Sequence, residues 1–194
     1  MNDQILWFAT RGAGVVSLLL FSAVTCLGIL TVMRWQSASW PRFLTAELHR
    51  NLALLSVVFL AIHIVTAILD PFTALGVLAA AVPFASSYRP LWVGLGAIAL
   101  DLLLALVVTS LLRARIGQRA WRAVHWLAYG SWPLAVVHGI GSGSDASAGW
   151  MRAIDIACVL AVGAAVAWRV AAGRSNRSRL ADVVVGRGSS ARGA

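Results

Sequence analysis

Four histidines carry the most informative spacing in the chain. His49 and His63 are 14 residues apart, His125 and His138 are 13 apart, and there is no fifth. Imidazole serves as metal ligand, proton carrier or hydrogen-bonding group. No Asp, Glu or Cys lies within a helical turn of any of the four, apart from Glu47 two residues before His49. Zinc takes three or four ligands converging on one point, usually with Cys, Asp or Glu among them, and two separated histidine pairs do not supply that. A haem asks for two axial imidazoles on opposite faces of a flat apolar plate. Two parallel helices with two histidines each would meet that demand twice. Interhelical hydrogen bonding and a proton relay are the competing uses of such residues.

The elements that must position these side chains are membrane helices. Of the 194 residues 60% are apolar and 12% charged, with a mean hydropathy of +0.82, whereas a soluble domain is about 45–50% apolar and about 25% charged. The composition excludes a disordered chain and a cytosolic enzyme. Stretches long and apolar enough to cross a bilayer fall at 12–33, about 44–69, 91–112, about 121–140 and about 153–172. The expected fold is an all-α membrane protein, a bundle of about five transmembrane helices over residues 1–172, or six if residues 72–84 count. That segment, Phe72 to Phe84, is short and bracketed by Pro71 and Pro83, so it is expected at the interface. The first stretch runs 22 residues from Gly12 to Met33 without an A-x-A cleavage pattern, too long for a secretory signal. Cys26 and Cys158 lack CxxC spacing and read as small core residues.

The net charge of +9 comes from 16 basic residues placed between and after the apolar stretches, so nucleic acid is not the expected partner. Cytoplasmic loops hold the excess of Lys and Arg. Arg34, Arg42 and Arg50 follow the first span, Arg113, Arg115, Arg119 and Arg122 follow the third, and Arg174, Arg177, Arg179, Arg187 and Arg192 lie in the tail. The other connections are sparse, with Arg89 against Asp70 and Arg152 against Asp145. This alternation implies an outside N-terminus and a cytoplasmic C-terminus. Trp35, Trp40, Trp92, Trp121 and Trp150 stand near span ends, where an aromatic belt belongs. The Arg-, Ser- and Gly-rich segment 173–194 reads as a disordered cytoplasmic tail.

One span separates the two histidine helices, so they run in the same direction. His49 then shares a depth with His125, and His63 with His138, the two levels lying about 20 Å apart at about 1.5 Å per residue. Fourteen residues at about 100° each return to within about 40° of the starting face, whereas thirteen miss by about 140°. Pro133 lies between His125 and His138 and is expected to bend the helix.

The stretches LHRNLALLSVVFLAIHIVTAILDPF and WRAVHWLAYGSWPLAVVHGIGSGSD resemble the transmembrane domain of the ferric reductase and NADPH oxidase superfamily, over about residues 12–172. In that family, histidine pairs at spacings of 14 and 13 clamp two stacked b-type haems. The resemblance implies two haem b groups, the inner iron held by His49 and His125 and the outer by His63 and His138. Family members typically have six spans, and many carry a C-terminal flavin and nicotinamide region. Only about 22 residues follow the last span here and no GxGxxG follows a strand. Flavin is therefore not expected in this chain, and a separate flavoprotein or other donor is.

The implied activity is electron transfer from a cytoplasmic donor through the inner and then the outer haem. The acceptor would be an extracytoplasmic protein or a ferric chelate, and the setting a bacterial inner membrane. Arg50 and Arg122 are candidate partners of the haem propionates, with Arg119 near the inner level and Arg89 or Arg152 near the outer. Asp101, mid-span, is a candidate for structural pairing or for bonding an imidazole's second nitrogen. Trp126, Tyr129 and Trp132 lie between the levels as packing or as an electron bridge. Two alternatives stay open: a haem membrane subunit feeding a periplasmic reductase, as in the bacterial methionine sulfoxide reductase system, and a histidine-lined proton or metal transporter. A dihaem cytochrome b of respiratory complexes uses similar histidine spacing, without a quinone-site motif here.

Overall fold

The computed structural model describes residues 3–37, 39–73, 75–143 and 147–190, with side chains over 4–174. Asp145, Arg192 and the side chains of Arg177, Arg179 and Arg187 lie outside the described residues. The helices are α1 (Asp3–Val32), α2 (Arg42–Leu69), α3 (Val77–Ala81), α4 (Pro90–Leu111), α5 (Arg113–His125), α6 (Ala128–Ser142) and α7 (Gly149–Ser190). An all-helical membrane bundle is what lipid demands of a chain this apolar, since a helix satisfies its own backbone groups. Four helices among the described residues are long and apolar enough to cross: 4–32, 42–69, 90–111 and 149–174. The helix at α3, five residues long, covers about 8 Å and cannot cross a hydrocarbon core of about 30 Å. Helix α7 continues past position 172 into the Arg-rich segment, and propagation from a nucleated helix costs little per residue where Arg is a good helix former.

The remaining expected span, about 121–140, is divided between α5 and α6. Leu127 N donates to Val124 O at 2.9 Å, Tyr129 N to Trp126 O at 3.1 Å and Gly130 N to Leu127 O at 3.0 Å, all three-residue bonds in place of four-residue ones. The sequence points to Pro133 for the bend, but Pro133 lies inside α6 and the tightening precedes it. A proline ring crowds the carbonyl four residues earlier, here that of Tyr129, so the turn ahead absorbs the strain. A 3₁₀ residue advances about 120° and an α residue about 100°. Three tightened residues therefore recover about 60° of the about 140° by which His125 and His138 would otherwise diverge. Upstream, Gly117 breaks α5 with φ 79° and ψ 161°, a backbone that favours glycine.

Packing sorts the helices into two pairs. Helix α1 lies along α2, α4 lies along α6, and α1 joins the pairs by packing on α6 and α7. Helix α2, with His49 and His63, is not close-packed on α6, with His138, and His125 ends α5. Leu18, Val136 and Cys158 form the core where α1, α6 and α7 meet, with Trp132 and Ile154 against them. Cys26 and Cys158 are both free thiols, the second buried and the first half-buried. Helix α2 turns Leu54, Leu55, Val58, Ile62 and Val65 outward, a stripe suited to acyl chains. It ends at Asp70, whose Oδ1 accepts Phe72 N at 3.0 Å, an Asx turn ahead of the Pro71 break.

Polar groups tie the pairs together. Trp132 Nε1 donates to Ser22 Oγ at 2.9 Å, and Ser22 Oγ donates to Leu18 O at 2.8 Å. Replacing Ser22 with Ala leaves the indole N–H without its acceptor. Interhelical bonds in membranes contribute about 0.6 kcal/mol on average, so Ser22→Ala is expected to lower the melting temperature in detergent by a few degrees. An unchanged melting curve would contradict a bridging role for this bond.

Candidate functional site

The structure brings the histidines together in the two expected pairs. The ring centres of His49 and His125 are 6.3 Å apart with planes at 66°, and those of His63 and His138 are 6.3 Å apart with planes at 79°. Two imidazoles on one metal atom, each bonded at about 2 Å through a nitrogen about 1.2 Å from its ring centre, stand about 6–6.5 Å apart. Both pairs have that separation. No group of three or more His, Cys, Asp or Glu side chains that could hold a metal ion exists among the described residues, which disfavours a zinc-type centre.

Three of the four rings are fixed by backbone carbonyls. His49 Nδ1 donates to Val24 O at 3.0 Å, His63 Nδ1 to Thr10 O at 2.8 Å, and His138 Nδ1 to Trp92 O at 2.8 Å. Ser142 Oγ also lies 3.2 Å from His138 Nδ1. With Nδ1 engaged, Nε2 keeps its lone pair for a ligand bond, and the carbonyl orients the ring and raises its basicity. Each of these rings rests against a glycine. A Cβ at Gly14 would stand 3.0 Å from His63 Nδ1, one at Gly28 3.3 Å from His49 Cε1, and one at Gly96 2.5 Å from His138 Nδ1. The 14-residue interval between Gly14 and Gly28 equals that between His49 and His63, because α1 and α2 run antiparallel with one register. That coincidence was readable in the sequence.

His125 differs. Its Nδ1 is buried without a hydrogen-bond partner, and its ring stacks on Trp121 with centres 4.7 Å apart and planes at 28°. Trp121 Nε1 donates to Ser110 Oγ at 3.2 Å, and the Arg113 guanidinium lies 4.6 Å from the Trp121 ring centre.

A cavity of about 290 Å³ opens beside the outer pair, lined by His63, His138, Gly14, Gly96, Leu18, Phe21 and further apolar side chains. Arg11 lines it too, its guanidinium 4.4 Å from the Trp7 ring centre. Arg11 lies within a turn of Gly14 on α1. Among the arginines the sequence nominated, Arg50 is exposed and pairs with Glu47 at 3.2 Å. Arg122 and Arg119 are exposed at the α5 end of the bundle. Arg89 donates to Gly141 O at 2.7 Å, and Arg152 is exposed on α7.

Asp101 is exposed on α4. Because His49, His63 and His138 use carbonyl acceptors and His125 Nδ1 has none, Asp101 is not the imidazole partner. Trp132 is a packing residue bonded to Ser22. Trp126 and Tyr129 instead receive Arg169, whose guanidinium lies 4.7 Å and 5.3 Å from their ring centres and whose Nη1 donates to the Tyr129 hydroxyl. A lone cation in the apolar run AVAWRVAAG was the available signal for Arg169.

The profile of the ferric reductase-like transmembrane component family matches residues 13–140, about two thirds of the chain and all four histidines. No match was found among curated proteins or among solved structures. With paired imidazoles inside an apolar helical bundle and a family match across both histidine helices, the chain belongs to the ferric reductase-like transmembrane component family, whose domains serve transmembrane electron transfer.

Proposed function

We propose that this chain moves electrons across the membrane through two b-type haems, an inner one held by His49 and His125 and an outer one held by His63 and His138. The observation that carries the reading is the repeated pair geometry, two imidazoles with centres 6.3 Å apart at each of two levels. Three of the Nδ1 atoms are committed to carbonyls, which leaves Nε2 for iron. When bound, each haem supplies a one-electron iron centre. With His49 and His125, or His63 and His138, as its ligands, such a centre would serve electron transfer more than chemistry at the metal.

The protein's own part is positioning, exclusion and charge. Helix α2 holds one ring of each pair, α5 holds His125 and α6 holds His138, and the apolar wall around His63 and His138 keeps water from the outer level. Arg50 and Arg122 offer positive charge near the inner propionates, and Arg11 offers it in the outer cavity. The arginine-rich loops before α2 and around α5 face the cytoplasm, as does the C-terminus. An electron leaving a negative interior gains about 2.3 kcal/mol per 100 mV, which favours flow from a cytoplasmic donor to an outside acceptor, a partner protein or a ferric chelate.

The test is a reduced-minus-oxidised visible spectrum of the purified protein with haem quantification. About two b-type haems per chain with low-spin six-coordinate bands are expected for bis-histidine iron. A colourless protein after haem-supplemented expression would refute the reading.

A further inference from the structure

The α1–α2 turn places two arginines around a depression of about 300 Å³, with Arg34 and Trp35 on the side where α1 ends and Arg42, Phe43 and Thr45 on the side where α2 begins. Hydrogen bonds fix its walls. Trp35 N donates to Leu30 O at 3.1 Å, Ser37 N to Trp40 O at 3.1 Å and Trp40 N to Ser37 O at 3.2 Å, and Trp40 Nε1 donates to the buried Thr45 Oγ1 at 3.0 Å. Arg34 has φ 55°, the left-handed backbone at which a helix end ordinarily takes glycine. A long cationic side chain kept in that conformation is local strain of the kind that binding positions retain. Among the described residues neither Arg34 nor Arg42 has a hydrogen bond or ion pair. Glu47, the acidic residue nearest to them along the chain, pairs with Arg50 at 3.2 Å instead.

We infer that this depression is a binding site for an anionic phospholipid, whose phosphate sits between Arg34 and Arg42. The depression lies where the apolar spans 4–32 and 42–69 end, the level of lipid phosphates. Exposed Trp35 and Phe43 on its rim suit the glycerol and first acyl carbons beneath a headgroup. A guanidinium matches two phosphate oxygens at once and gives up its water readily, and basic pockets at the ends of membrane helices take anionic headgroups. Two like charges facing one hollow repel each other until an anion separates them, and the same two charges repel the cation of a choline headgroup. The bound lipid joins the end of α1 to the start of α2. It thereby supports the helix pair whose register seats His49 on Val24 O and His63 on Thr10 O.

The test uses the full chain in a neutral detergent, with phosphatidylglycerol, phosphatidylcholine or inorganic phosphate added, followed by native mass spectrometry and thermal melting. The wild type is expected to retain phosphatidylglycerol and to melt higher with it, and to respond to neither of the other two. Arg34→Gln combined with Arg42→Gln should weaken phosphatidylglycerol binding by about tenfold or more, the loss expected for charge-assisted bonds. Arg115→Gln combined with Arg174→Gln removes the same charge from exposed positions outside the depression and should bind like the wild type. Arg34→Gly separates lipid binding from folding. It relieves the left-handed backbone and should melt no lower than the wild type without lipid, yet bind phosphatidylglycerol several-fold more weakly. The inference is overturned if phosphatidylcholine is retained as well as phosphatidylglycerol, or if inorganic phosphate alone reproduces the melting shift. It is equally overturned if the Arg115 and Arg174 variant loses as much lipid as the Arg34 and Arg42 variant, or if Arg34→Gly binds like the wild type.

Discussion

His63→Ala and His138→Ala are each expected to leave a protein with about half the wild-type haem, and the same half in both cases, because one iron loses one of its two axial ligands. The two rings face each other with centres 6.3 Å apart, and both line the outer cavity, which neither His49 nor His125 reaches. The inner centre, about 20 Å away along the helices, should keep its bands and its potential. Haem quantification with a potentiometric titration of each variant checks this: the wild type shows two transitions and each variant shows the same single one. If the two variants retained different haems, the depth pairing would be wrong. If both lost all haem while remaining folded, the two sites would not be independent.

The second large effect is expected from a single added methyl. Gly96→Ala places a Cβ 2.5 Å from His138 Nδ1 and 2.6 Å from its Cε1, closer than side chains approach, so the imidazole must swing and surrender its bond to Trp92 O. Losing that bond alone costs about 10–100-fold in metal affinity, and the outer haem is expected to be depleted selectively. Gly28→Ala, whose Cβ would stand 3.3 Å from His49, should weaken the inner centre far less. Gly163→Ala, on α7 with nothing within 4 Å and outside the cavity lining, should bind both haems normally. Equal haem content in all three variants would show that the glycines do not form the seats. Equal loss in all three would point to a general destabilisation.

Much of this site was legible before any coordinates. Histidine spacing, the count of apolar stretches and the alternation of arginines are local properties of the chain, and they led to the helical bundle and to the pairing of His49 with His125 and His63 with His138. The angular mismatch on the fourth expected span was also visible, but its relief was assigned to Pro133. The chain tightens at Trp126 and Leu127 instead, since the carbonyl a proline crowds lies one turn before it. Asp101 was a candidate for structural pairing or for bonding an imidazole, because a mid-span carboxylate needs a reason to be there. Helix phase turned it outward and left backbone carbonyls to do that work. Arg11 stands at a span boundary and Arg169 inside an apolar run, and helix packing decides that one lines the outer cavity and the other meets Trp126 and Tyr129.

The sequence by itself determined that this protein lives in lipid, that two of its expected spans carry two histidines each, and that those histidines fall at two depths, because hydropathy and residue spacing are written along the chain. Only the tertiary structure decided which carbonyls receive His49, His63 and His138, that Gly14, Gly28 and Gly96 make room for these three rings, and that His125 Nδ1 is left without a partner. Those facts depend on the register and phase of one helix against another. Such a relation is set by how two surfaces pack, and a change of a few tens of degrees at a tightened turn decides whether a ring nitrogen meets an oxygen or remains without one.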